Sequence, residues 1–156
     1  MPSVPVSELI ADNLVSTLGQ ISVAGGYHNN VSAVVRRKQF GQPTANKLVV
    51  VNLGDKELNE ANNPLNGRIT WLQSYWIDFY LIEPEAGADI DEQINRAVAD
   101  VETVLMVDPF RGGYAHDTFP SGAVIFPDEE GGQIAGVSIL VRVRYRTLLT
   151  DPNTQA

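Results

Sequence analysis

The sequence predicts an α+β fold: two amphipathic helices packed on one face of an antiparallel or mixed β-sheet, in the order α-β-β-β-α-β-β. Three observations carry that expectation. Two stretches, one near the N-terminus and one around residue 100, repeat apolar residues at helical spacing. Several others alternate or run apolar over strand-like lengths between turn-forming clusters. Strands also follow one another directly, three in succession and then two, so helices do not separate every pair.

The elements follow in order. Val6, Leu9, Ile10, Leu14, Leu18 and Ile21 recur on one helical face, with Glu8, Asp12, Asn13 and Gln20 between them, which predicts a helix over 6–19. Pro5 suits the first turn, where its missing N–H costs nothing, and Gly19 lies near the C-terminal end. Ala24-Gly25-Gly26-Tyr27-His28-Asn29-Asn30 is rich in residues that tolerate positive φ and reads as a connection. A strand follows over 31–39, ending in Arg36-Arg37-Lys38. The continuous apolar run at 47–53 predicts a strand covered on both faces. Residues 54–66 are polar and aperiodic, a mobile loop by composition. Residues 68–82 form a long strand with Trp71, Tyr75 and Phe79 on one face and Trp76 and Tyr80 on the other. Aromatics on both faces require the outer side to be at least partly covered.

Glu83 to Gly87 turns the chain, and Asp89 with Glu92 three residues on reads as a helix N-cap. Ile90, Ile94, Ala97, Val98, Val101, Val104 and Leu105 make the apolar stripe of a helix over 90–106, stopped by Asp108-Pro109. A Gly-rich loop around 111–114 leads to a short strand at 123–126. An acidic turn at 128–132 joins that strand in a hairpin to a final strand over 134–148. Residues 1–150 are expected to form one domain, and 151–156 a frayed polar tail.

Composition narrows the function. The 156 residues carry a net charge of −8, which argues against a protein that grips nucleic acid through its phosphates but not against an acidic wall past which DNA slides. The charged fraction is only 19%, so much of the surface is neutral or covered by neighbouring subunits. There is no cysteine, and hence no disulfide or thiol chemistry. The N-terminus lacks the basic flank and apolar run of a signal peptide, and no segment approaches the roughly 20 apolar residues of a membrane helix. These features predict a soluble chain made in a cytoplasm.

No catalytic or cofactor motif emerges. His28 and His116 each sit in a glycine-rich segment without a second ligand at metal-binding spacing. There is no Gly-x-Ser-x-Gly elbow, and neither Gly25-Gly26 nor Gly112-Gly113 lies between a strand and a following helix as a phosphate loop must. Asp128-Glu129-Glu130 lacks the alternation of a calcium loop and reads as a solvated turn, or as acids that meet a neighbour's bases. No cofactor or metal is therefore assigned. The informative feature is Arg142, Arg144 and Arg146 on one face of the last strand, with Val137, Ile139, Val141, Val143 and Tyr145 on the other. One reading is a charged strand face that keeps an edge soluble. The other, favoured here, is an inter-subunit surface, since arginine pairs carboxylates bidentately and is enriched at interfaces. Arg36 and Arg37 read as a solvated strand end or a docking patch for an acidic partner.

Three segments together resemble the small neck and tail-completion proteins of tailed bacteriophages, tail terminators and minor tail proteins above all. They are Ala24 to Val31 after the N-terminal helix, Glu129-Glu130-Gly131-Gly132, and Val141 to Thr147 ahead of Asp151-Pro152. The resemblance covers nearly the whole chain in order of elements, through short and degenerate motifs. It departs at His28-Asn29-Asn30, where that family often has Asn-Thr-Asp. The resemblance implies a non-enzymatic α+β subunit of the virion, one copy in a hexameric ring that caps the tail tube, stops its growth and joins the tail to the head. The implied partners are other copies of the chain, the tail tube protein and a head–tail connector or stopper, with DNA only passing through the channel and no membrane. On that reading Arg142, Arg144, Arg146, Arg36, Arg37, Asp128, Glu129 and Glu130 are expected between subunits. Axial docking falls to loops 54–66 and 107–122, represented by Asp55, Glu57, Asn59, Glu60, Tyr114, His116 and Asp117.

Two kinds of alternative stay open. Within virion assembly, the chain could be a head-completion protein, a stopper, or a tube or baseplate subunit. Outside it, Tyr114, His116 and Asp117 could serve an enzyme cleft, or the arginine strand could bind an acidic peptide.

Overall fold

The computed structural model describes residues 3–37, 46–59, 67–82, 89–126 and 134–156. Its elements are α1 (Val6–Leu18), β1 (Ala33–Arg36), β2 (Leu48–Leu58), β3 (Arg68–Ile82), α2 (Ile90–Val107), β4 (Asp117–Ile125), β5 (Ile134–Leu148) and β6 (Asp151–Gln155). The six strands form one curled, mixed sheet in the order β1-β2-β3-β5-β4, with β6 also pairing β5. Among the described residues, only β1 and β2 run parallel; the remaining pairs are antiparallel. Both helices pack on one face, giving the predicted α+β fold.

The centre of the sheet is the β3–β5 pair, in register over fifteen residues from Arg68↔Leu148 to Ile82↔Ile134. That register puts the odd-numbered side chains of both strands on the helix side. Tyr75, Ile77, Phe79, Val137, Ile139, Val141 and Val143 are there at most 1% exposed. α1 contributes Val6, Ile10, Ala11, Leu14 and Leu18, and α2 contributes Ile94, Ala97, Val101, Val104 and Leu105. Burial of each larger aliphatic side chain stabilises the fold by about 1.5–3 kcal/mol before entropy is counted. Tyr75 carries a polar tip into this core, and its Oη donates to the Ser7 carbonyl at 2.8 Å. Burial pushes its phenol well above the ordinary range.

The helix ends follow the sequence closely. Pro5 precedes α1, and its carbonyl accepts from the amides of Glu8 and Leu9. Asp89 caps α2 by accepting from the amides of Asp91 and Glu92. The acid three residues on does not close the box; the Glu92 carboxylate pairs with Arg96 one turn along instead.

Three expectations about local structure need correction. Residues 54–58 are strand, not loop: β2 continues past a bulge between Leu53 and Lys56 and pairs Lys56, Glu57 and Leu58 with β3. Gln73 makes the bulge possible, because its Nε2 donates to the carbonyls of Gly54 and Asp55. Residues 117–122 also belong to a strand, so β4 begins six residues earlier than predicted, and residues 108–116, which include a 3-10 turn at Arg111–Gly113, separate it from the end of α2. Pro120 is tolerated because β4 is an edge strand with a bulge between Pro120 and Gly122. Finally, residues 151–155 are not frayed. They fold back as β6, with Thr147↔Gln155 and Leu148↔Asp151 in register. Asp151 tightens that turn by accepting from the Asn153 amide and the Thr154 hydroxyl. The turns expected at 83–87 and 128–132 and most of the 54–66 stretch lie outside the described residues, as does Lys38.

Candidate interaction surface

The face of the sheet opposite the helices carries the even-numbered residues of β3 and β5. Although no helix among the described residues lies over it, this face is largely covered: Leu48, Val50, Asn52, Thr70 and Ser74 are all less than 9% exposed, and Trp76 and Tyr80 are half-buried. The coverage expected from aromatics on both faces is therefore real. Tyr80 and Phe126, for example, pack ring against ring at 5.2 Å. Gly136 makes room for Phe126, since a Cβ there would stand 2.5 Å from that ring and 2.8 Å from the Phe79 carbonyl oxygen.

The three arginines of β5 project from this face, and the structure treats them differently. Arg144 pairs with Asp117 of the neighbouring edge strand, directly opposite it in register. Arg146 donates from Nε to the Thr70 hydroxyl at 3.2 Å. Arg142 has a buried Nε with no hydrogen-bond partner, flanked in register by Ser74 and by Phe119, which is 43% exposed. The chain thus supplies partners for two of the three arginines, at sequence distances of 27 and 76 residues. Of the three, only the Arg142 side chain makes no hydrogen bond or ion pair with the described residues.

Arg36 and Arg37 are likewise engaged within the chain. Arg36 pairs with Glu8 of α1 at 2.6 Å and approaches Asp12 at 3.7 Å. Arg37 donates to the Asn52 side chain and the Leu53 carbonyl. Asn52 in turn donates to Asp78 at 2.9 Å, and Ser138 donates to the other oxygen of the same carboxylate. This chain of polar groups crosses β2, β3 and β5 at the floor of an open groove of about 450 Å³, walled by Trp76 and Val124.

Burial raises the carboxyl pKa of Asp78, against the pull of the Ser138 and Asn52 hydrogen bonds and the Arg37 charge. A raised acid pKa in the folded state means that the native protein holds its proton more tightly than the unfolded chain. The associated stability is complete below the ordinary value of 3.8 and is lost as pH rises through the higher folded value. Asp78→Asn should therefore gain thermal stability relative to the unaltered protein between pH 3 and pH 7. Thermal unfolding of both at the two pH values measures it; a constant offset would show that Asp78 ionisation does not oppose folding.

Of the residues expected in axial loops, Asp55 and Glu57 lie on β2, and Asn59 follows it with its amide bonded to the Thr70 carbonyl. Tyr114 packs half-buried against the core, His116 is exposed with its amide bonded to the Arg144 carbonyl, and Asp117 opens β4. The His116 pKa is lowered by burial and then by the nearby charges of Arg146 and Arg144, while Asp117 pulls the other way. The Asp117 carboxylate is held by Arg144 rather than offered to His116. Glu60, Asp128, Glu129 and Glu130 lie outside the described residues. Among the described residues, no three His, Cys, Asp or Glu side chains converge as metal ligands, and no helix is long and apolar enough to cross a membrane.

The edge beside the arginines is apolar. β4 exposes Phe119, Val124 and Ile125, the last two at 59% and 56%, on both faces of an edge strand. A sheet edge of this kind offers unpaired main-chain groups and apolar contact together, and natural proteins seldom leave one bare.

Sequence reasoning missed Asp100 and Arg111. Asp100 is 2% exposed on α2 and gathers the 24–30 connection: Oδ1 accepts from the His28 amide, and Oδ2 from the amide and side chain of Asn29, all at 2.9 Å. An acid inside an otherwise apolar helical stripe was the available signal. Arg111 is fully buried, and its Nη2 donates to the carbonyls of Leu105 and Asp108 at the end of α2.

No family model and no curated protein matches the sequence. The fold does have a counterpart. The chain is similar to one from the virion of a native gene transfer agent particle, with a TM-score of 0.52 and 15% identity. The alignment covers 89% of this chain and 96% of the other.

Proposed function

We propose that this protein is a structural subunit of a phage-like virion, and more narrowly a tail terminator. Its copies close into a ring that caps the tail tube, ends polymerisation and presents a different surface to the head connector. The observation that carries the reading is the fold likeness over nearly the full length of both chains to a component of a gene transfer agent virion. The exposed apolar edge of β4 and the unpartnered Arg142 support a subunit that completes itself against neighbours. Six copies is the number implied by the resemblance to tail terminators.

The mechanism is geometric. A heterologous interface repeated by rotation closes into a ring, and a ring has two unlike axial faces. One face matches the last layer of tube subunits; the other does not repeat it, so growth ends for want of a template. The distal end of β2, with Asp55, Glu57 and Asn59, and the turn carrying Tyr114, His116 and Asp117 are the proposed axial contacts. Arg36 and Arg37 are proposed at the subunit boundary, with Arg142, Arg144 and Arg146. DNA passes through the acidic channel without being held, and no bond is made or broken.

Negative-stain images of the purified chain and of particles made without its gene test this. Closed rings, together with tails of uncontrolled length that fail to join heads, are the expected result. Long tubes from the purified chain would assign it to the tube instead, and intact particles without the gene would overturn the reading.

A further inference from the structure

The topology sorts charge onto opposite sides of the molecule. Arg142 and Arg146 stand on the outer face of the sheet, and α2 covers the inner face with its own outer side turned to solvent. On that outer side Asp91 and Glu102 are exposed and make no side-chain hydrogen bond or ion pair with the described residues. The nearby Glu92 and Arg96 neutralise each other.

Asp91 and Glu102 are eleven positions apart. At about 100° and 1.5 Å per residue, they lie on one stripe of the helix about 16 Å apart. Arg142 and Arg146 are four positions apart on a strand, about 13 Å at about 3.3 Å per residue. The difference is within the reach of long flexible side chains. Each charged row also ends beside an exposed apolar group: Phe119 next to Arg142, and Met106, 48% exposed, one turn past Glu102. A charged row flanked by apolar groups is suited to a protein interface.

We infer that the outer stripe of α2 in one copy, through Asp91 and Glu102, docks on Arg142 and Arg146 of the next copy. The inference rests on the reading of this chain as a self-assembling subunit and specifies the contact that reading leaves open. Because the two surfaces lie on opposite faces of the sheet, the contact is heterologous: each copy uses its helix toward one neighbour and its arginines toward the other. Arg142 has no side-chain partner among the described residues, and its Nη atoms, unlike the buried Nε, are open to a neighbour's carboxylate.

The test uses the full chain in sedimentation velocity over a range of concentrations, with circular dichroism to confirm folding. Two variants are compared, Asp91→Lys/Glu102→Lys and Arg142→Glu/Arg146→Glu. Each alone should lose at least about tenfold in association constant, the lower end of what removing one partner of a close charge pair costs. Mixed in equal amounts they should associate again, since every junction in an alternating assembly is then matched. In about 1 M salt, where screening acts within about 3 Å, the unaltered chain should also associate less. If Arg146→Glu disrupts folding by removing the donor to Thr70, Arg142→Glu alone serves, with the same direction of effect. Unchanged association of either variant would overturn this contact while leaving self-assembly standing. So would loss in both variants without rescue on mixing. An unaltered chain that stays monomeric at every concentration would overturn both.

Discussion

Asp100→Ala is expected to lower stability by about 3 kcal/mol, and the thermal midpoint by roughly 10 °C for a chain of this size. The carboxylate is buried and accepts three hydrogen bonds, two of them from main-chain amides. Removing it leaves those donors without an acceptor where water has little access, and each orphan costs about 1–3 kcal/mol. Asp100→Asn should be nearly as damaging. It keeps the volume but turns one acceptor into a donor, facing an amide that also donates. Hydrogen exchange gives a local readout, with the His28 and Asn29 amides losing protection before the sheet does. Two-state unfolding with an unchanged midpoint would show that the 24–30 connection does not depend on this anchor.

Arg111→Ala should cost about as much, for a different reason. The guanidinium is fully buried and donates to the carbonyls of Leu105 and Asp108, supplying donors and positive charge at the C-terminal end of α2. Burial lowers its pKa and the Asp108 carboxylate opposes that shift. Alanine removes these bonds and leaves a cavity. The backbone provides an internal control, because Arg111 has φ +51°, a region costly for any residue with a Cβ. Arg111→Gly loses the same hydrogen bonds but relieves that strain, so it should be more stable than Arg111→Ala by about 1 kcal/mol. Denaturant unfolding of both variants separates the two contributions. Equal stabilities would mean that the backbone conformation carries no penalty here.

Both residues bear on assembly only through the fold: Asp100 fixes the 24–30 connection against α2, and Arg111 fixes the turn that launches β4. A subunit whose edge strand and outer helix stripe meet neighbours needs those elements held firmly before it docks. Loss of either anchor should therefore reduce assembly in proportion to the loss of folded protein. Asp91→Lys/Glu102→Lys, by contrast, should reduce assembly with folding intact.

Local pattern alone determined the elements with strong periodicity. The apolar repeat of Val6 to Leu18 and of Ile94 to Leu105, the Asp89 cap, and the alternation of Arg68–Ile82 and Ile134–Leu148 each encode their own geometry, because a side chain's face follows from its position along a helix or strand. The same alternation placed Arg142, Arg144 and Arg146 together on one face. What they face was beyond it. Asp117 and Thr70 reach Arg144 and Arg146 only because β4 and β3 lie on either side of β5, a pairing made across 27 and 76 residues. The polar strand extension at 54–58, the early start of β4 and the return of 151–155 as β6 were hidden for the same reason. Their residues have weak strand preference, and hydrogen bonds to a partner strand decided their conformation. Asp100 and Arg111 gained their roles from burial, which only the packed chain creates.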